Sequence, residues 1–206
     1  MWGALAQYVT VGRPTAGLVL GVRSWNGTPT GATMGGVSAS IIWSPLKRPT
    51  TLDVTTSGTK HYRWGSLALV PLGSGFEGVL IVDMHSYLKG VAEMPSSWPK
   101  GALQAQAIAS RTYALYHYRA GTIPSCGGCH LYDSTVSQVY AGWSKESEPT
   151  YGKFWVAAGR ATQTGTSTGL TVLSAGKPIQ ALFFSSSGCR TRTTNDACST
   201  ALPTPS

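Results

Sequence analysis

Residues 87–116 read YLKGVAEMPSSWPKGALQAQAIASRTYALY. Pro95 and Pro99 divide this stretch into an approach and a helix. Ser96 or Ser97 suits the N-cap of that helix and Pro99 its first turn. Beyond it, Ala102, Leu103, Gln106, Ala107, Ser110, Ala114 and Tyr118 recur near helical spacing, and six alanines between 102 and 120 favour helix and close packing. Gly121 is the natural stop, which predicts a helix of about 20 residues, longer than average. Ahead of it, Glu93 stands among Val91, Ala92, Met94 and Pro95. It is the one acid of eight in the chain placed in an apolar run just before a helix.

Upstream, the chain reads as short strands broken by turn chemistry. Leu18–Val22, Ile41–Trp43, Tyr62–Val70 and Gly78–Asp83 are the strand candidates, and Asn26-Gly27 and Thr28-Pro29 are turns. Residues 26–40, rich in Gly, Thr and Ser, read as loops. Met84–Val91 predicts a short helix ending near Gly90. Downstream, 122–150 is loop-rich, 151–163 a second helix with Trp155, Ala158 and Thr162 on one side, and 169–184 a hairpin about Ala175-Gly176-Lys177. The expected fold is α+β, with a β-rich N-terminal part, one long helix and a cleft beside it. The expected division is 1–59 as a β-rich segment, 60–198 as the main domain and 199–206 as a disordered tail.

Charged residues make up only 12% of the 206, against 42% hydrophobic, and the net charge is +8. A surface built on Ser, Thr, Gly and Asn suits an extracytoplasmic protein, secreted or wall-associated. The basic residues are scattered without a run of three, which argues against nucleic acid and fits a general attraction to an anionic polymer. No stretch approaches the roughly 18 apolar residues of a membrane span. The start, Met1-Trp2-Gly3-Ala4, lacks signal-peptide features and reads as a trimmed or incomplete sequence.

A carboxyl with apolar neighbours is pushed toward its neutral form, which is the form a general acid needs. The structural alternative for Glu93 is a helix cap or a partner of Lys89 or Lys100. A paired-carboxylate glycosidase needs a second acid, for which Asp83, Asp133 and Asp196 are candidates that spacing does not separate. Arg111 lies on the helix either to bind an anionic group or to anchor a backbone carbonyl. Cys126-Gly-Gly-Cys129-His130 is open to a disulfide or a zinc reading, and Cys189 with Cys198 forms a second local pair.

The stretch through His117 resembles the signature of the stage II sporulation protein D family, also called the amidase-enhancer domain. Its Glu-Met-Pro, Trp-Pro, Ala-Gln-Ala and Arg-Thr-Tyr elements carry the resemblance. SQVYAG at 137–142, the Trp155–Ala158 region, GKPIQALFFSSSG at 176–188 and the front HYRWG…EGVLIVDMHSYLKG follow in order, so that residues of about 60–190 are covered. The resemblance implies a peptidoglycan lytic transglycosylase with Glu93 as its single catalytic acid and base, which removes the need for a second carboxylate. It implies a groove lined by Arg111, Gln138, Tyr140 and Ser186, glycan strands as substrate, and no cofactor. The family's other role, enhancement of a cell-wall amidase by a wall-binding module, is the alternative. The zinc site of some members uses a His-Cys pair where this chain has Val136 and Ser137, so no metal is expected. The family's Ser-Gly-Gly phrase reads Ser187-Gly188-Cys189 here.

Overall fold

The computed structural model describes residues 5–9, 18–23, 29–34, 39–42, 51–55, 59–72 and 75–184. Ser186, Cys189, Asp196, Cys198 and the tail at 199–206 lie outside the described residues. Strands come first: β1 (Leu5–Val9), β2 (Leu18–Arg23), β3 (Pro29–Met34), β4 (Ala39–Ile42), β5 (Thr51–Thr55), β6 (Thr59–Tyr62), β7 (Ser66–Leu72) and β8 (Gly75–Val82). Then follow α1 (Met84–Gly90), α2 (Lys100–Ala120), β9 (Leu131–Tyr132), α3 (Trp143–Glu146) and α4 (Gly152–Ala161). Two small hairpins close the described chain, β10 (Gln163–Gly165) with β11 (Thr168–Gly169), and β12 (Leu173–Ser174) with β13 (Lys177–Pro178). The mixture of helix and strand is α+β, as the pattern of residues predicts.

Two sheets organise the strands. One runs β4-β7-β8-β1-β9, antiparallel except where β9 lies parallel to β1. The other is the antiparallel order β3-β2-β5-β6. Successive strand residues point to opposite faces, and the first sheet uses both. Leu67, Leu69, Leu80, Val82 and Leu131 join the main core with Leu103, Ala107 and Trp155 of the helices. Ala68, Val70, Val79 and Tyr132, the alternate residues, gather around Cys126 and Cys129 on the other side. The main core is thus helices on sheet, and the second is a small cluster about two cysteines.

Helix α2 buries Leu103, Gln106, Ala107, Ser110, Arg111 and Ala114, spaced three and four apart, as one face of a helix requires. It ends at Gly121, whose φ of 104° favours glycine. Its start differs from expectation. Neither Ser96 nor Ser97 caps it; Pro99 holds the N-cap position with no side-chain cap bond. The reason is a separate turn, in which Trp98 N–H donates to Pro95 O at 3.2 Å, so that both serines fall too early in the chain.

Three further expectations change. Tyr62–Val70 is not one strand: Gly65, at φ 99°, separates β6 from β7, and a Cβ there would collide with the Ile81 carbonyl. Residues 26–40 are not wholly loop, because β3 pairs with β2 across Leu18–Arg23. The hairpin after 169 is shorter than predicted, with Ala175 at φ 48° and Gly176 at φ 73° forming a two-residue turn between β12 and β13.

Candidate functional site

Glu93 sits just past α1, where residues 90–92 run against 139–141. Val91 bridges Tyr140, Ala92 N–H donates to Val139 O at 2.9 Å, and Ala141 N–H donates to Gly90 O at 2.8 Å. This short ladder brings Val139 N–H onto Glu93 Oε1 at 2.5 Å. Glu93 is half-buried. Burial pushes its carboxyl above the usual range, and the Val139 N–H, which favours the carboxylate, pulls it partly back. A carboxyl in such a balance can give up a proton and take one back.

Beneath the ladder lies a stack of phenols. Tyr87 and Tyr140 are nearly parallel with centroids 5.5 Å apart, and Tyr62 continues the stack at 6.2 Å from Tyr140. Tyr87 Oη donates to Gln138 Oε1 at 2.7 Å. Burial raises the pKa of all three phenols, so they remain neutral. Glu93 is close enough to Tyr87 and Tyr113 for its charge to raise both further. Gly90 permits this packing, because a Cβ there would meet the Tyr140 ring at 2.5 Å.

Sequence reasoning missed Lys145. Its side chain is buried, and Nζ donates to Met94 O at 2.8 Å and to Glu148 Oε1 at 3.0 Å. It therefore clamps the backbone one residue beyond Glu93. A lone lysine in a Trp-Ser-Lys-Glu run carries no signal of this, and the Val139 N–H, a backbone group, carries none at all.

The other residues singled out from the sequence fall in different places. Gln138 and Tyr140 are brought to the Glu93 segment, but their side chains are buried against protein atoms. Arg111 is wholly buried on α2. Its guanidinium donates to Leu170 O at 2.8 Å, Thr162 Oγ1 at 2.9 Å and Gly159 O at 3.3 Å. Burial lowers its pKa to about 10, which leaves it cationic at neutral pH. Of the two roles open to Arg111, the contacts are those of a carbonyl anchor. Asp83 caps α1 by accepting from His85 and Ser86 N–H, both at 3.0 Å, and Asp133 is paired with Lys60. Cys126 and Cys129 are joined in a disulfide, which takes both sulfurs out of any thiolate ligand set. Among the described residues no group of three or more His, Cys, Asp or Glu is placed to hold a metal ion.

Residues 73–171, which include Glu93, its ladder, Lys145 and Arg111, match the family described as Stage II sporulation protein. The chain carries a stage II sporulation protein domain. An uncharacterized protein of Brachyspira hyodysenteriae is 38% identical over 95 residues, which is 44% of this chain and 24% of that protein. The amidase enhancer of Bacillus subtilis is 33% identical over 118 residues, 56% of this chain and 14% of that protein. The chain thus spans less than a quarter of the length of either curated relative. Within the stage II sporulation protein domain, the end of α1 and the 139–141 segment together hold the acid. Among the described residues no helix is long and apolar enough to cross a membrane.

Proposed function

We propose that the chain is a lytic transglycosylase that cleaves peptidoglycan glycan strands between N-acetylmuramic acid and N-acetylglucosamine. The observation that supports this most is Glu93, half-buried, raised in pKa and held by a single backbone N–H. Protonated Glu93 donates its proton to the glycosidic oxygen, which leaves as the N-acetylglucosamine hydroxyl. The carboxylate so formed, stabilised by Val139 N–H, accepts the proton of the muramyl C6 hydroxyl as that oxygen closes onto C1. The product is a 1,6-anhydromuramyl end, Glu93 regains its proton, and no water is consumed. One carboxyl serves both steps because burial and the Val139 bond oppose each other in its acidity.

The remaining residues act as supports in this reading. Lys145 fixes Met94, Gln138 and Tyr87 brace the 138–141 segment, and Arg111 ties α2 to the chain at 159–170. Tyr140 stacks on Tyr87 and Tyr62 and steadies the same segment. Ser186 lies outside the described residues, and its contact with substrate is part of this proposal alone. The net charge of +8 supports attraction to an anionic wall polymer outside the cytoplasm.

A second reading rests on the name of the Bacillus subtilis relative, amidase enhancer. In that reading the domain of this chain binds wall glycan without cleaving it and raises the rate of a partner amidase. The experiment is incubation with denuded glycan strands, followed by mass analysis of the products. Anhydromuramyl ends that vanish in Glu93→Gln support the enzyme. Faster amidase turnover with no anhydromuramyl product, by the unsubstituted chain, supports the enhancer instead.

A further inference from the structure

A groove of about 550 Å³ opens between the start of α2 and the outer face of α4. That size suits a small-molecule site. Its floor includes the buried Leu103 and Ala158. Its rim carries three aromatic rings that the core does not use: Trp98 is 38% exposed, Tyr151 46% and Phe154 48%. Tyr151 and Phe154 stand 6.1 Å apart between centroids, tilted by 47°. Ser97 and Lys100 add a hydroxyl and an ammonium at the α2 side, and no carboxylate lines the groove.

Two features connect these rings to the acid and to function. Trp98 ends the turn that starts at Pro95, two residues after Glu93. Tyr151 follows Thr150, a β-branched residue at φ 65°, and its N–H donates to Pro149 O at 2.7 Å. Such a turn is strained, and strain of this kind persists where the surrounding structure holds it. Here it sets the direction of a ring at the groove's rim.

We propose that this groove is a subsite for one N-acetylhexosamine ring of a glycan strand, with Trp98, Tyr151 and Phe154 as its stacking platform. A pyranose has apolar C–H faces and a polar edge. Half-exposed rings offer partners for the faces, and Ser97 and Lys100 offer partners for the edge. The small Ala158 at the floor leaves room for the acetamido methyl. A docking face for an apolar peptide would call for no polar edge. The inference rests on the glycan reading above but not on cleavage.

The test uses N-acetylglucosamine tetramer and the Glu93→Gln chain, so that turnover does not intrude. Binding is followed by calorimetry and by tryptophan fluorescence. Tyr151→Ala with Phe154→Ala should weaken binding at least ten-fold while circular dichroism and melting stay unchanged. Ala157→Trp, which fills the groove from an exposed helix position, should weaken it as much. Unchanged affinity in both variants overturns the subsite, as does failure of the Glu93→Gln chain to bind the tetramer. So does a groove that takes only an apolar dye. If tetramer binding collapses as expected but the unsubstituted chain yields no anhydromuramyl ends, the subsite stands and the transglycosylase reading falls.

Discussion

Glu93 is governed by two opposing influences, and each has a measurable consequence. Burial raises its pKa in the folded chain above the unfolded value. Its neutral form therefore favours folding. That contribution is complete below the ordinary carboxylate range and is lost as pH rises through the raised value. Glu93→Gln cannot ionise, so its melting temperature should exceed that of the parent at pH 7 and match it near pH 4. A gap of the same size at both pH values would refute the linkage. In the proposed reaction the first step needs the protonated acid, so product formation should fall as pH rises through the same window. Glu93→Gln should lower the rate by about 100- to 10,000-fold, the usual worth of a general acid. Lys145 supports this residue from the far side of Met94. Lys145→Met leaves the partly buried Met94 carbonyl without its donor, at a cost of about 1 kcal/mol or more. Chemical denaturation measures this, and an unchanged midpoint would show that the clamp carries no stability.

The elements matter through their junctions more than through their lengths. The end of α1 lies against the 139–141 segment only because residue 90 lacks a side chain. Gly90→Ala should push the Tyr140 ring or the segment outward, costing about 1–3 kcal/mol. It should also disturb the Val139 N–H at Glu93, so amide exchange at Val139 should accelerate more than at the middle of α2. Equal rates at Val139 in both proteins would mean that the junction absorbs the methyl. Helix α2 is held at its centre by side chains with backbone partners. Arg111 donates to three acceptors, and Thr112 Oγ1 accepts from Val172 N–H at 3.0 Å while donating to Ile108 O at 2.7 Å. Apart from the bond to Ile108, which lies within α2, these bonds tie the helix to the end of α4 and the segment that follows it.

At the scale of the molecule, one sheet separates two apolar clusters of unequal size. The smaller is built around the disulfide of Cys126 and Cys129, both fully buried. A bridge across so short a loop constrains the unfolded chain modestly, by about 2 kcal/mol. Cys126→Ser with Cys129→Ser should lower stability by that amount or somewhat more, since two hydroxyls replace buried sulfur. If Val79 and the residues around it keep their exchange protection in this variant, the bridge is incidental to the smaller cluster. Glu93 lies on the other side of the sheet, so the proposed glycan cleavage should survive the substitution at temperatures where the protein remains folded.

Local patterns carried much of this architecture. Alanine content and three-to-four spacing specify α2 with its stop at Gly121, alternation marks β7 within a longer run that Gly65 breaks, and the apolar residues from Gly78 mark most of β8. The nearness of two cysteines in sequence allows their bridge. The unusual setting of Glu93 was also legible, because a carboxyl among apolar neighbours ahead of a helix is rare in a chain with so few acids. The rest depended on distant pairings. Val139 and Lys145 lie 46 and 52 positions from Glu93 and meet its segment only through the fold. Arg111 was open to two roles until Leu170, Gly159 and Thr162 closed around it. Composition and periodicity report what each segment buries, and they chose the elements. Hydrogen-bond partners far along the chain are fixed by packing, and they chose what the acid touches.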